Sequence, residues 1–86
     1  MNASPNGTDC AITASQVRAG RALLGWSQDD LAGRSSVPRR TIARLEADQG
    51  QPQRRTLAAI RTALEAAGVD FIAENGGGPG VRLRKG

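Results

Sequence analysis

The sequence predicts a mainly α fold: a small bundle of four to five helices followed by a short C-terminal β-hairpin or strand pair. Three observations predict it. Apolar residues recur at helical spacing in several separate runs, and recognisable start and stop signals bound those runs. Between Gly25 and Glu46 (GWSQDDLAGRSSVPRRTIARLE) two short helices are joined by a tight turn, the second rich in arginine. After Gly68, two short apolar runs flank the glycine-rich AENGGGPG, the pattern of two strands with a flexible connection.

Residues 1–11 (MNASPNGTDCA) show no periodicity and read as a disordered leader. Thr13 opens the first helix. Thr13 and Gln16 have capping-box spacing, and Ile12 is placed to staple against Val17. Val17, Gly20, Arg21 and Leu24 fall on one face, an odd place for an arginine, and Gly25 is the helix stop. Ser27 starts the second helix, with Asp29 and Asp30 in the first turn, where carboxylates suit the positive helix end. Leu31 and Ala32 face inward, and the helix ends near Arg34 and Ser35. Ser36 and Val37 form the turn, either one being the expected N-cap of the next helix, and Pro38 suits its first turn. That third helix, about 38–47, turns Ile42 and Leu45 inward and sets Arg39, Arg40 and Arg44 on a different face. Asp48 to Gln53 (DQGQPQ) is a loop. Thr56 is the expected cap of a fourth helix, whose apolar stripe is Leu57, Ile60, Ala63, Leu64 and Ala67, with Gly68 as its stop. Val69–Ile72 and Val81–Leu83 are the two strands.

At 86 residues the chain is one small domain, near the lower size limit for a core without metals or disulfides. Aromatics make up only 2%, Trp26 and Phe71, so that core must be aliphatic. Trp26 reads as a plug between the first two helices. Cys10 is the only cysteine, which rules out an intramolecular disulfide and fits a reducing compartment. No stretch has the length of a membrane span or the shape of a signal peptide, so the expectation is a cytoplasmic protein with no membrane partner. Net charge is +4, and all the cations but Lys85 are arginine, a balance that favours polyanionic partners.

A helix-turn-helix requires small residues where its helices cross, apolar residues at fixed offsets, a tight turn, and polar side chains on the outer face of its second helix. Counting from Gln28, the fourth, tenth, fifteenth and eighteenth places hold Leu31, Val37, Ile42 and Leu45, and the fifth holds Ala32. The run resembles the lambda-repressor-like, Cro/Xre-type helix-turn-helix family, chiefly through WSQDDLA and RRTIARLE, with the layout extending over residues 12–67. The resemblance implies a lambda-repressor-like helical bundle and a sequence-specific DNA-binding transcriptional regulator, with double-stranded DNA as partner. It also implies a buried ion pair between Arg21 on the first helix and Glu46 near the end of the recognition helix. By the family pattern Arg39, Arg40, Thr41 and Arg44 stand at base-reading positions, while Ser27, Gln28 and the N-terminus of their helix meet phosphate. Arg54 and Arg55 are candidate phosphate clamps. These two, with Arg82 and Arg84, suit phosphate contact and ordinary surface charge alike. Two places depart from the family: Ser36 stands where a glycine is usual in a positive-φ turn, and Pro38 where many relatives have a hydroxyl cap.

One such module reads few base pairs, so a homodimer on two half-sites is expected, with residues 68–86 as the dimerisation element. The alternative is an antitoxin-like or other protein-binding module that uses this tail. An enzyme is disfavoured: histidine is absent and no spacing suggests metal ligands or a phosphate loop. No cofactor, metal or small-molecule ligand is expected.

Overall fold

A computed structural model of the protein describes residues 12–84. The expected leader, residues 1–11 with Cys10, lies outside the described residues. The elements are α1 (Ala14–Leu24), α2 (Gln28–Ser35), α3 (Arg39–Glu46), α4 (Arg54–Ala66), β1 (Val69–Ile72) and β2 (Gly80–Leu83). Among the described residues, no helix is long and apolar enough to cross a membrane.

Local signals set most boundaries. Both halves of the capping box at Thr13 and Gln16 are formed, at 3.1 and 2.9 Å. Gly25 ends α1 in the left-handed region at φ 70. Ser27 caps α2 in a second capping box, with Asp30 as its partner. The turn between α2 and α3 places Ser36 at φ 62, a left-handed conformation reached here without glycine. An L side chain in that region costs on the order of 1 kcal/mol. Ser36→Gly is therefore expected to raise stability by up to about 1 kcal/mol and the melting temperature by a few degrees; thermal unfolding of the two proteins checks this.

Two helix starts differ from expectation. The N-cap of α3 is Pro38 itself, not Ser36 or Val37. Its carbonyl accepts from the amides of Thr41 and Ile42, at 2.9 and 3.1 Å, and no side chain caps this end. The reason is local: Ser36 is committed to closing α2, and the residue before a proline is pushed toward extended backbone, so neither can start a helix. α4 begins at Arg54 with Gln53 as N-cap, which puts Thr56 inside the first turn. Arginine is the better helix former, and the helix winds back through Arg54 and Arg55 to the end of the proline-containing loop.

Each element from α1 to β1 supplies at least one aliphatic side chain with no exposed surface: Val17, Leu31, Ile42, Ile60, Leu64 and Val69. Gly20 lets α1 approach closely, since a Cβ there would lie 3.3 Å from Leu64 Cδ1 and 3.6 Å from Val69 Cγ1. Ile12 and Val17, the expected staple, both belong to this core.

The two strands pair antiparallel within the chain, with Val69 opposite Leu83 and Phe71 opposite Val81. The hairpin packs on α1 and α4, whereas α3 packs on α1 and α2. Gln16, which is buried, reaches from α1 to the loop end of the hairpin, its side-chain amide donating to the carbonyls of Gly80 (2.9 Å) and Ile72 (3.3 Å). In the connection, the Glu74 carboxylate accepts from the Gly76 and Gly78 amides at 2.9 and 3.2 Å, so the glycine loop folds around its own acid.

Candidate nucleic-acid interface

The apolar periodicity of α3 divides it into two surfaces. Ile42 and Leu45 are buried in the core, and Glu46 joins them with 6% of its surface exposed. Arg39, Arg40 and Arg44 are exposed on the other side and Thr41 is half-buried. Thr41 and Arg44 also line a shallow groove with the loop from Gln49 to Gln53 and with Thr56. The four residues at expected base-reading positions therefore share one short helix that is fastened along its inner face.

The fastening centres on Glu46. Its two carboxylate oxygens accept from Arg21 Nε and Nη2, both at 2.7 Å, in a two-pronged ion pair between α1 and α3. A guanidinium fork matches a carboxylate in this geometry, which makes such contacts both strong and directional. Arg21 Nη1 also donates to the Trp26 carbonyl at 2.9 Å, and Arg18 donates to the Glu46 carbonyl. Gln28 Nε2 donates to Glu46 Oε1 at 3.0 Å. Burial alone would push the Glu46 carboxyl up. The hydrogen bonds from Arg21 and Gln28 and the charges of Arg21 and Arg18 outweigh it, so the group is held below its ordinary value.

The expected phosphate contacts fall on two helix starts. Ser27 and Gln28 open α2; the Ser27 hydroxyl accepts from the Asp30 amide, and Gln28 is anchored on Glu46 as described. Arg54 and Arg55 are exposed at the start of α4, where Arg55 Nε donates to Gln53 Oε1 at 3.3 Å. Arg82 and Arg84 lie on the hairpin away from α3, both paired with Asp70, at 3.8 and 2.9 Å. Trp26 is half-buried against the core, with the Arg34 guanidinium 4.9 Å from its ring centre.

Two polar residues near this surface, Arg18 and Asp29, were not legible as site residues, and Gln28, expected at phosphate, has an inward bond that was not legible either. Arg18 and the inward bond of Gln28 depend on Glu46, which lies 28 and 18 positions further along the chain. Asp29, read only as a first-turn acid, forms an ion pair with Arg39, Oδ1 to Nε at 3.2 Å. The one available signal was the pair of adjacent acids at the start of α2, of which a capping box needs only one.

A comparison with curated proteins found no match. A family model described as helix-turn-helix, of the Cro/C1 type, matches residues 17–69. The match takes in most of α1, all of α2, α3 and α4, and the first residue of β1, and so more than half of the chain. The protein belongs to the Cro/C1-type helix-turn-helix family.

Proposed function

We propose that this protein is a sequence-specific DNA-binding regulator of transcription that inserts α3 in the major groove of double-stranded DNA. The observation that carries the reading is the two-sided character of α3: Ile42, Leu45 and Glu46 hold it to the bundle while Arg39, Arg40 and Arg44 face solvent. In this architecture the recognition helix enters the groove and the preceding helix crosses the backbone. The α2 start, with Ser27 and Gln28, and the α4 start, with Arg54 and Arg55, then meet phosphate on either side. Arginine pairs bidentately with guanine, at about 1–3 kcal/mol of discrimination per good contact, so the half-site contains guanine. No catalytic step, cofactor or small-molecule ligand enters this reading.

In vitro selection of bound duplexes, followed by mobility shift at two salt concentrations, tests it. Arg39→Ala and Arg40→Ala are each expected to weaken binding to the selected duplex roughly tenfold and to relax preference at one base pair. Arg54→Ala is expected to weaken all duplexes alike and to lower the salt dependence by about one phosphate. Unchanged affinity and preference in both the Arg39 and Arg40 variants rule out base reading by those side chains.

The functional unit is a homodimer on two half-sites about one helical turn (~34 Å) apart. Because β1 already pairs with β2 inside the chain, a second copy would add at the outer edge of β2, where Leu83 is 44% exposed. Sedimentation is expected to give a dimer for the natural chain and a shift toward monomer for Leu83→Lys at an unchanged melting temperature. A natural chain that sediments as a monomer overturns the dimer.

A further inference from the structure

The exposed ion pair between Asp29 and Arg39 is poorly explained as a contribution to stability. The two side chains are 78% and 61% exposed, and pairs this open to water add little. Asp29 is also not needed to start α2, since the neighbouring Asp30 completes the capping box with Ser27. Its carboxylate instead lies against the first residue of α3, on the surface where base reading is proposed.

We infer that Asp29 is a positioning residue that orients Arg39 for pairing with a single guanine and weakens the attraction of this surface for DNA of any sequence. The inference rests on α3 being the base-reading helix. The contact is made at Nε, 3.2 Å from Asp29 Oδ1, so it occupies the inner edge of the guanidinium and leaves the two terminal nitrogens free. Those two nitrogens form the fork that matches the O6 and N7 acceptors of guanine. Both partners stand on short, well-anchored pieces of backbone. Asp29 is in the first turn of a capped helix, and Arg39 directly follows the turn whose neighbours Leu31, Val37 and Ile42 are buried. The contact biases the guanidinium toward this arrangement before DNA arrives, which reduces the conformational freedom lost on binding.

The same carboxylate acts against indiscriminate binding. An unpaired arginine on this face is drawn to any phosphate, a contact without sequence information. A neighbouring negative charge reduces that attraction but leaves the directional contact to the base in place. Asp29 thus trades affinity for discrimination, and removing its charge changes the two in opposite directions.

The experiment compares the natural chain with Asp29→Asn, Arg39→Ala and the double variant. For each it measures affinity for the selected duplex and for a random-sequence duplex, and base preference along the half-site. Asparagine keeps the shape of the side chain and removes its charge. Asp29→Asn is expected to bind the random duplex roughly threefold more tightly and to lose about fivefold or more of the preference at one base pair. In the Arg39→Ala background the Asn substitution is expected to leave base preference unchanged, because the side chain it positions is gone. Intact preference in Asp29→Asn, or a change in preference that persists without Arg39, overturns the inference while leaving the base-reading role of α3 standing. A natural chain that enriches no sequence at all overturns that role, and the inference with it.

Discussion

Replacing Arg21 with leucine is expected to cost about 3 kcal/mol and to lower the melting temperature by roughly 10–20 °C. The Glu46 side chain is 4% exposed and accepts two hydrogen bonds from Arg21 at 2.7 Å. In the variant only Gln28 still bonds that carboxylate, and a buried charge deprived of its partner is strongly destabilising. Arg21 is 20% exposed, which places the effect at the lower end of the range for buried pairs. The loss depends on pH in a defined direction. Glu46 titrates below its ordinary value in the folded protein, so its pairing contributes stability that is present above the ordinary carboxylate value of 4.5 and lost as pH falls through the depressed one. The gap between natural chain and variant is therefore full at neutral pH and narrows once the pH drops below that range. Without Arg21, only the Gln28 hydrogen bond and the Arg18 charge oppose burial of the carboxyl, so the variant takes up its proton at higher pH than the natural chain, which narrows the gap sooner. Thermal unfolding of both proteins at neutral and acid pH checks size and direction together. A variant as stable as the natural chain, or a gap indifferent to pH, contradicts the account.

Ending the chain at Gly68 is expected to cost about 3–5 kcal/mol, enough to unfold much of a domain this small. By sequence pattern the hairpin looks like an appendage: the helical layout stops near residue 67 and a glycine follows. In the folded protein Val69 has no exposed surface, and Phe71 and Val81 pack against the same core. Truncation would uncover the side of Leu64 and the seam at Gly20, and would remove both carbonyls that hold the Gln16 amide. Far-UV dichroism and thermal melting of residues 1–68 measure the effect; a truncated chain that melts within a few degrees of the natural one shows the hairpin to be dispensable. The same contacts explain why the sedimentation test of dimerisation uses an exposed hairpin residue and leaves the strands in place.

Both predictions concern contacts distant in sequence, and that distance separates what could be read in advance from what could not. The capping box at Thr13 and Gln16, the stop at Gly25 and the cap at Ser27 each act within a few residues, so their chemistry was legible directly. The inward face of α3 was legible because helical geometry alone places Ile42 and Leu45 together. Pro38 and Thr56 were misplaced for a different reason: several local signals compete at a helix start, and the demands of the preceding turn or of neighbouring helix formers decide between them. The partnership of Arg21 with Glu46 was expected only through family resemblance, since neither residue signals the other across 25 positions.

The sequence by itself determined a helical bundle with a terminal strand pair, a helix-turn-helix at Gln28 to Glu46, and an arginine-rich outer face on its second helix. These follow from side-chain period, caps and turns, interactions confined to a helical turn or two. Only the tertiary structure decided which polar side chains are already engaged: Gln16 with a hairpin 56 and 64 positions away, Gln28 with Glu46, Asp29 with Arg39. A hydrogen bond or ion pair forms only when packing brings its partners to about 3 Å. That approach is set by the shared aliphatic core and by no single stretch of the chain.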